Sequence, residues 1–305
     1  MSTDRAQPWR DIFYTARDGL RLYGRHYPSA APQRRPALCL PGLTRNSRDF
    51  HDLAVFLADA ANPLGRDVYT LDYRGRGRSQ HDPEWRNYTL AAELADVLDF
   101  MTINGLHDAG VIGTSRGGLI AMLMASMRPT SLGAVVLNDI GPVINAEGLM
   151  RIVAYVGRVP LPTTWAEATE LVQRLNERQF PDIQPHQWTD VARQWFNDEN
   201  GRPVHSYDQN LARAISVTTS ELPSIWPQFE ALSRLPTLVI RGALSDILSD
   251  DTVQEMRLRH PHLEALTVPQ QGHAPLLRDR PTQSAIAEFL ARADAASPRF
   301  TGNGS

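Results

Sequence analysis

Short apolar runs alternate with longer segments of helical period along most of the chain. DIFYTA (11–16), RLYGRHY (21–27), PALCLPG (36–42), DVYTLDY (67–73), AGVIGTS (109–115), GAVVLND (133–139), TLVIRG (237–242) and LEALTVP (263–269) read as strands. Residues 119–127 are apolar all round, as in a helix packed at the centre of a sheet, whereas 91–104 is amphipathic and more peripheral. Beyond a two-strand lead-in, strands alternate with helices, which implies a mostly parallel sheet covered on both faces. The fold class is therefore α/β.

The rhythm breaks between residues 141 and 225. Trp165, Trp188, Trp195 and repeated prolines sit there among helical segments such as TWAEATELVQRLNERQ and HQWTDVARQWF, and strand pattern resumes only at Leu238. The expected organisation is a core domain of residues 1–140 and 226–305, with a helical cap inserted at 141–225. The alternative is further core helices at the edge of the sheet. SAAPQRRPA (29–37) reads as a Pro-rich loop and DAASPRFTGNGS (294–305) as a frayed tail.

Composition narrows the partners. A length of 305 residues suits one large domain with an insertion, and a net charge of −3 gives no basic footprint for nucleic acid or an anionic membrane. The single cysteine, Cys39, excludes an intrachain disulfide framework, and no Cys/His cluster has the spacing of a zinc site. The polar start MSTDRAQPWR lacks an apolar leader, and LIAMLMASM falls short of the roughly 20 residues of a membrane span. These features predict a cytoplasmic protein with a small-molecule partner, no nucleic acid, no membrane, no metal and no cofactor, and they leave room for a homodimer.

Candidate chemistry centres on GTSRGG (113–118), at the junction of a strand and a helix. The glycines give Ser115 room for a strained turn that exposes its hydroxyl at the sheet's carboxyl edge. Taken alone, the motif fits equally a glycine-flanked turn without chemistry. A serine nucleophile needs a histidine as base and an acid to orient that histidine. His273, in PQQGHAPLLRDRP, follows an apolar run and precedes the last helix, whereas His260 and His262 read as structural. Asp246, just beyond the run 237–242, is the expected acid and completes the order Ser, Asp, His; Asp139, at the end of the preceding strand, is the alternative. The oxyanion of such a reaction requires backbone donors, expected at the N–H of Arg116 and the N–H of Leu43 beside Gly42.

With these residues in hand the chain resembles the α/β-hydrolase-fold enzymes over nearly its whole length. LDYRGRGRS (71–79) resembles the family's Asp-x-Arg-Gly-x-Gly-x-Ser segment, YTLAAELADV the helix after it, and LPGLTRNSRDF (40–50) the oxyanion loop, with Pro41 where many relatives carry histidine. The resemblance implies a helical cap after Asp139, and Ser115 argues against members with an aspartate or cysteine nucleophile. It implies a Ser-His-Asp hydrolase of carboxylic esters or lactones. Carbon–carbon hydrolysis of a diketone, for which Arg116 could stabilise a dienolate, and a noncatalytic binding role on the same fold are the alternatives. Arg45 and Arg116 suggest a substrate carboxylate, whereas Leu43, Phe50, Trp165 and Leu244 suggest an apolar pocket.

Overall fold

In the computed structural model, residues 7–30, 34–216 and 224–296 are described. Residues 1–6 of the polar start, 31–33 of the Pro-rich loop and 297–305 of the expected tail lie outside them. Strands β1 (Arg10–Thr15), β2 (Arg21–Tyr27), β3 (Ala37–Leu40), β4 (Val68–Asp72), β5 (Ala109–Thr114) and β6 (Leu132–Asn138) come first, with α1 (His51–Ala58), α2 (Leu90–Ile103) and α3 (Arg116–Met127) between them. A segment of helices α4 (Ala146–Tyr155), α5 (Trp165–Asn176), α6 (Trp188–Trp195) and α7 (Leu211–Ser216) follows. It includes a hairpin of β7 (Phe196–Glu199) and β8 (Arg202–His205) that the helical pattern did not announce. The chain closes with α8 (Trp226–Glu230), β9 (Thr237–Gly242), α9 (Asp250–Arg259), β10 (Leu263–Val268) and α10 (Arg280–Ala296).

The described strands form an eight-stranded sheet in the order β1-β2-β4-β3-β5-β6-β9-β10. Only the pairs of β2 with β1 and with β4 are antiparallel; the others are parallel. Because side chains alternate along a strand, neighbouring positions feed opposite cores. Leu38, Val111, Val135 and Val239 pack with α2 and α3 through Leu94, Val97, Ile120 and Met124. Cys39, Ile112, Val136 and Ile240 pack on the other face with Leu53 and Leu57 of α1 and Ile286 and Phe289 of α10. Cys39 is a fully buried apolar filler, and burial pushes its thiol far above the ordinary range.

The segment between the adjacent strands β6 and β9 has its own small core of Ala168, Val172, Phe180, Trp188, Val191 and Phe196, with Leu276 packed against it. It is tied by backbone to the turn after β4: Gly77 N–H donates to the Ser206 carbonyl at 2.6 Å, and Asp208 N–H to the Gly75 carbonyl at 2.8 Å.

Helix α3 lies close against β3, and glycine permits the approach. A Cβ on Gly117 would stand 2.1 Å from the Leu40 carbonyl oxygen. Gly117→Ala is therefore expected to cost about 3 kcal/mol by overpacking. Urea denaturation checks this, and an unchanged midpoint would contradict the close packing.

Candidate active site

Ser115 sits between the end of β5 and the first residue of α3 with φ 50° and ψ −112°, a conformation a non-glycine residue adopts only when its surroundings hold it. Its N–H donates to the Asn138 carbonyl at 3.0 Å, and its own carbonyl accepts from Gly118 and Leu119, starting the helix. The hydroxyl faces His273, which the loop after β10 carries over the sheet edge: Ser115 Oγ and His273 Nε2 are 2.9 Å apart.

The other imidazole nitrogen, Nδ1, lies 2.8 Å from Asp139 Oδ2. Asp139 is fully buried directly beyond β6, also at positive φ (56°). Its Oδ1 accepts from Gly242 N–H at 2.8 Å and its Oδ2 from the Ser245 hydroxyl at 2.6 Å. Such donors take the place of the water that a buried carboxyl group gives up. Asn138 Nδ2 donates to the Pro275 carbonyl at 2.9 Å, and His273 N–H donates to Gln179 Oε1 at 3.2 Å, so β6 and the inserted segment both steady the histidine loop.

The expectation for Asp246 is corrected by this geometry. Asp246 stands four residues beyond β9 and turns toward α4, where Arg151 Nε and Nη2 donate to it at 2.5 and 3.0 Å. Burial pushes its carboxyl up, but the Arg151 guanidinium outweighs that and holds it below the ordinary range. Asp139 wins the contact because it leaves the strand next to β5 at the level of Ser115, with no intervening loop. Ser245, one residue before Asp246, is the group of that loop that reaches the array, and sequence reasoning missed it.

Two recesses meet at Ser115. One, a cavity of about 110 Å³, is lined by Arg45, Phe50, Tyr155, Trp188, Trp195 and His273 among others. The second, about 840 Å³ among the described residues, is bounded by Leu90, Leu119, Ile144, Val153, Ile215 and Ile247, with Leu43 and Arg116 at its inner end. Arg45 is present as expected but engaged, giving two bonds to Asp49 at 2.8 and 2.5 Å and lying over the Trp195 ring at 4.6 Å. Trp165 and Leu244 line neither recess. Trp165 donates its indole N–H to Asp198 at 3.1 Å and packs within the inserted segment, and Leu244 is exposed. The N–H groups of Leu43 and Arg116 donate to no group among the described residues, and a Cβ on Gly42 would stand 3.9 Å from Ser115 Cβ, which places that loop against the serine.

Among the described residues no helix is long and apolar enough to cross a membrane, and no cluster of three or more His, Cys, Asp or Glu side chains could hold a metal ion.

A serine raised on a strained turn at the carboxyl edge of such a sheet, with a histidine in reach, belongs to hydrolases built on one α/β frame. Comparison with known proteins fixes the family: a model described as alpha/beta hydrolase fold matches residues 36–279, and the chain belongs to that family. It is 32% identical over 263 residues to the 3-hydroxybutyrate-oligomer hydrolase of Cupriavidus necator, covering 83% of this chain and 87% of the relative. It is 27% identical to the sn-1-specific diacylglycerol lipase ABHD11 of Danio rerio, over 84% of this chain and 78% of that one. Among solved structures, an alpha/beta hydrolase from Novosphingobium aromaticivorans superposes with a TM-score of 0.86 at 38% identity, over 93% of this chain and 99% of the other.

Proposed function

We propose that this protein is a serine hydrolase of carboxylic esters that works through Ser115, His273 and Asp139. The observation that carries the reading is the unbroken contact from Ser115 Oγ through both imidazole nitrogens to a buried carboxylate. His273 takes the serine proton as Ser115 attacks the ester carbonyl, then gives it to the departing alkoxide; water enters and releases the acyl group by the reverse movements. Asp139 fixes the tautomer and stabilises the imidazolium that forms. The N–H groups of Leu43 and Arg116 receive the oxyanion, aided by the positive end of α3.

The described part of the inserted segment acts as a cap, closing the first recess through Tyr155, Trp188 and Trp195. The wide apolar recess takes an aliphatic acyl group, and the narrower one takes the alcohol portion. Relatives named for hydrolysis of hydroxyacid oligomers and of diacylglycerol agree with an ester bond as target. The guanidinium that would have favoured carbon–carbon hydrolysis, that of Arg116, is committed to Glu93 at 2.5 Å, so no observation favours that chemistry.

The test is a series of p-nitrophenyl esters from acetyl to decanoyl, with fluorophosphonate labelling and mapping of the labelled peptide. The label is expected on Ser115, and kcat/KM is expected to rise with acyl length, by up to about fourfold per methylene, until the recess is full. An unlabelled Ser115 together with no turnover of any ester would sink the reading.

A further inference from the structure

Beside the site lies a largely buried charged group to which the reaction above gives no task. Glu93, in the first turn of α2, and Arg76, in the turn after β4, are fully buried, and the Arg116 side chain is 15% exposed. Glu93 Oε2 accepts from Arg116 Nε at 2.5 Å, and Glu93 Oε1 is 2.9 Å from Arg76 Nη2. Burial pushes the Glu93 carboxyl up, but the two guanidiniums outweigh it and hold it below the ordinary range. Interior ion groups of this kind add little stability beyond what apolar side chains of the same volume would give, so packing alone is a poor reason for them.

Their contacts supply a better one. Arg76 Nε donates to the Leu43 carbonyl at 3.0 Å and Arg76 Nη1 to the Arg74 carbonyl at 2.6 Å. The preceding peptide is held as well, because the Gly42 carbonyl accepts from Arg45 N–H at 3.2 Å. In a planar trans peptide this turns the Leu43 N–H the opposite way. Both peptides that flank Leu43 are thus gripped at their oxygens, one of them by Arg76. At the other end of the same carboxylate stands Arg116, whose backbone N–H is the second unpaired donor next to Ser115.

We propose that Glu93 is a positioning residue for oxyanion binding: by holding Arg76 and Arg116 from one carboxylate, it sets the Leu43 and Arg116 N–H groups at a fixed separation across Ser115. The inference rests on the esterase reading. It acts through geometry and not through charge. Removing the carboxylate would leave two guanidiniums near the developing oxyanion, and an effect of charge alone would raise the rate.

The experiment compares wild type, Glu93→Gln and Arg116→Gln on a p-nitrophenyl ester. Active sites are counted by fluorophosphonate titration, and a trifluoromethyl ketone that forms a tetrahedral adduct with the serine serves as inhibitor. Expected for both variants are a kcat per titrated site lower by about ten- to a hundredfold, a KM within about threefold of wild type, and a loss of ketone affinity equal to the loss of kcat/KM. A merely structural role would lower the number of titrated sites and leave each at full rate, and that result overturns the proposal. So does a kcat that is unchanged or raised. If Glu93→Gln does not fold, Arg116→Lys, which keeps the positive charge and gives up the guanidinium grip on Glu93, decides in its place, with the same losses expected. A wild type that hydrolyses no ester overturns the esterase reading and this inference with it, whereas an active wild type with unchanged variants overturns only the inference.

Discussion

Ser115→Ala is expected to lower kcat for ester hydrolysis by about a millionfold, to the level that binding and the backbone donors sustain by themselves. The size follows from the arrangement. His273 has its Nε2 on the hydroxyl at 2.9 Å and its Nδ1 on Asp139 at 2.8 Å, so the three groups act as a unit and removal of the nucleophile leaves the other two without a task. The fold should survive, since the turn is held by backbone bonds, the Ser115 N–H to the Asn138 carbonyl and the Gly118 N–H to the Ser115 carbonyl, that alanine keeps. Steady-state rates of a rigorously repurified variant, together with its thermal melt, check both halves. A folded variant with more than about a hundredth of wild-type kcat would show that the serine is not the nucleophile.

The second large effect separates two aspartates. Asp139→Asn is expected to cost about ten-thousandfold in kcat, because an amide in place of the carboxylate favours the wrong imidazole tautomer and cannot stabilise the imidazolium. Asp246→Asn is expected to stay within a few-fold, since it weakens only part-exposed contacts with Arg151 and Gln179. Measuring both variants beside wild type, per titrated active site, is sufficient. The reverse outcome, a large loss at Asp246 and a small one at Asp139, would return the acid to the loop after β9 and require that loop to rearrange around His273.

The pairing of these aspartates marks where sequence reasoning reached its limit. The sheet was legible because its strands are short alternating or continuously apolar runs, and the turn at Ser115 because glycines flank it on both sides. The acid was not, since Asp139 and Asp246 both follow strands of the sheet and both precede His273 in the chain. What decides between them is distance past the strand end, one residue against four, and the partner each finds there, Ser245 for one and Arg151 for the other. Trp165 and Leu244 failed as pocket residues for a related reason, because the direction of a side chain in an inserted segment, or in a loop past a strand end, depends on packing that no local pattern encodes. Glu93 had a readable signal that went unused. With Asp96 and Phe100 it lies on a buried face of α2 at helical spacing, and an acid on such a face calls for a buried cation.

Leu43, Ser115, Arg116 and Asp139 all precede the inserted segment in the chain, and His273 alone follows it. During synthesis the groups that the proposed reaction uses as nucleophile, acid and backbone donors are therefore made before the inserted segment, and its base, His273, comes more than a hundred residues after Asp139, beyond the strand whose Gly242 N–H donates to that aspartate. In the proposed reaction hydrolytic competence therefore arrives only with the last strand and the loop behind it, after the wall residues of the wide recess, the last of them Ile247, have been made.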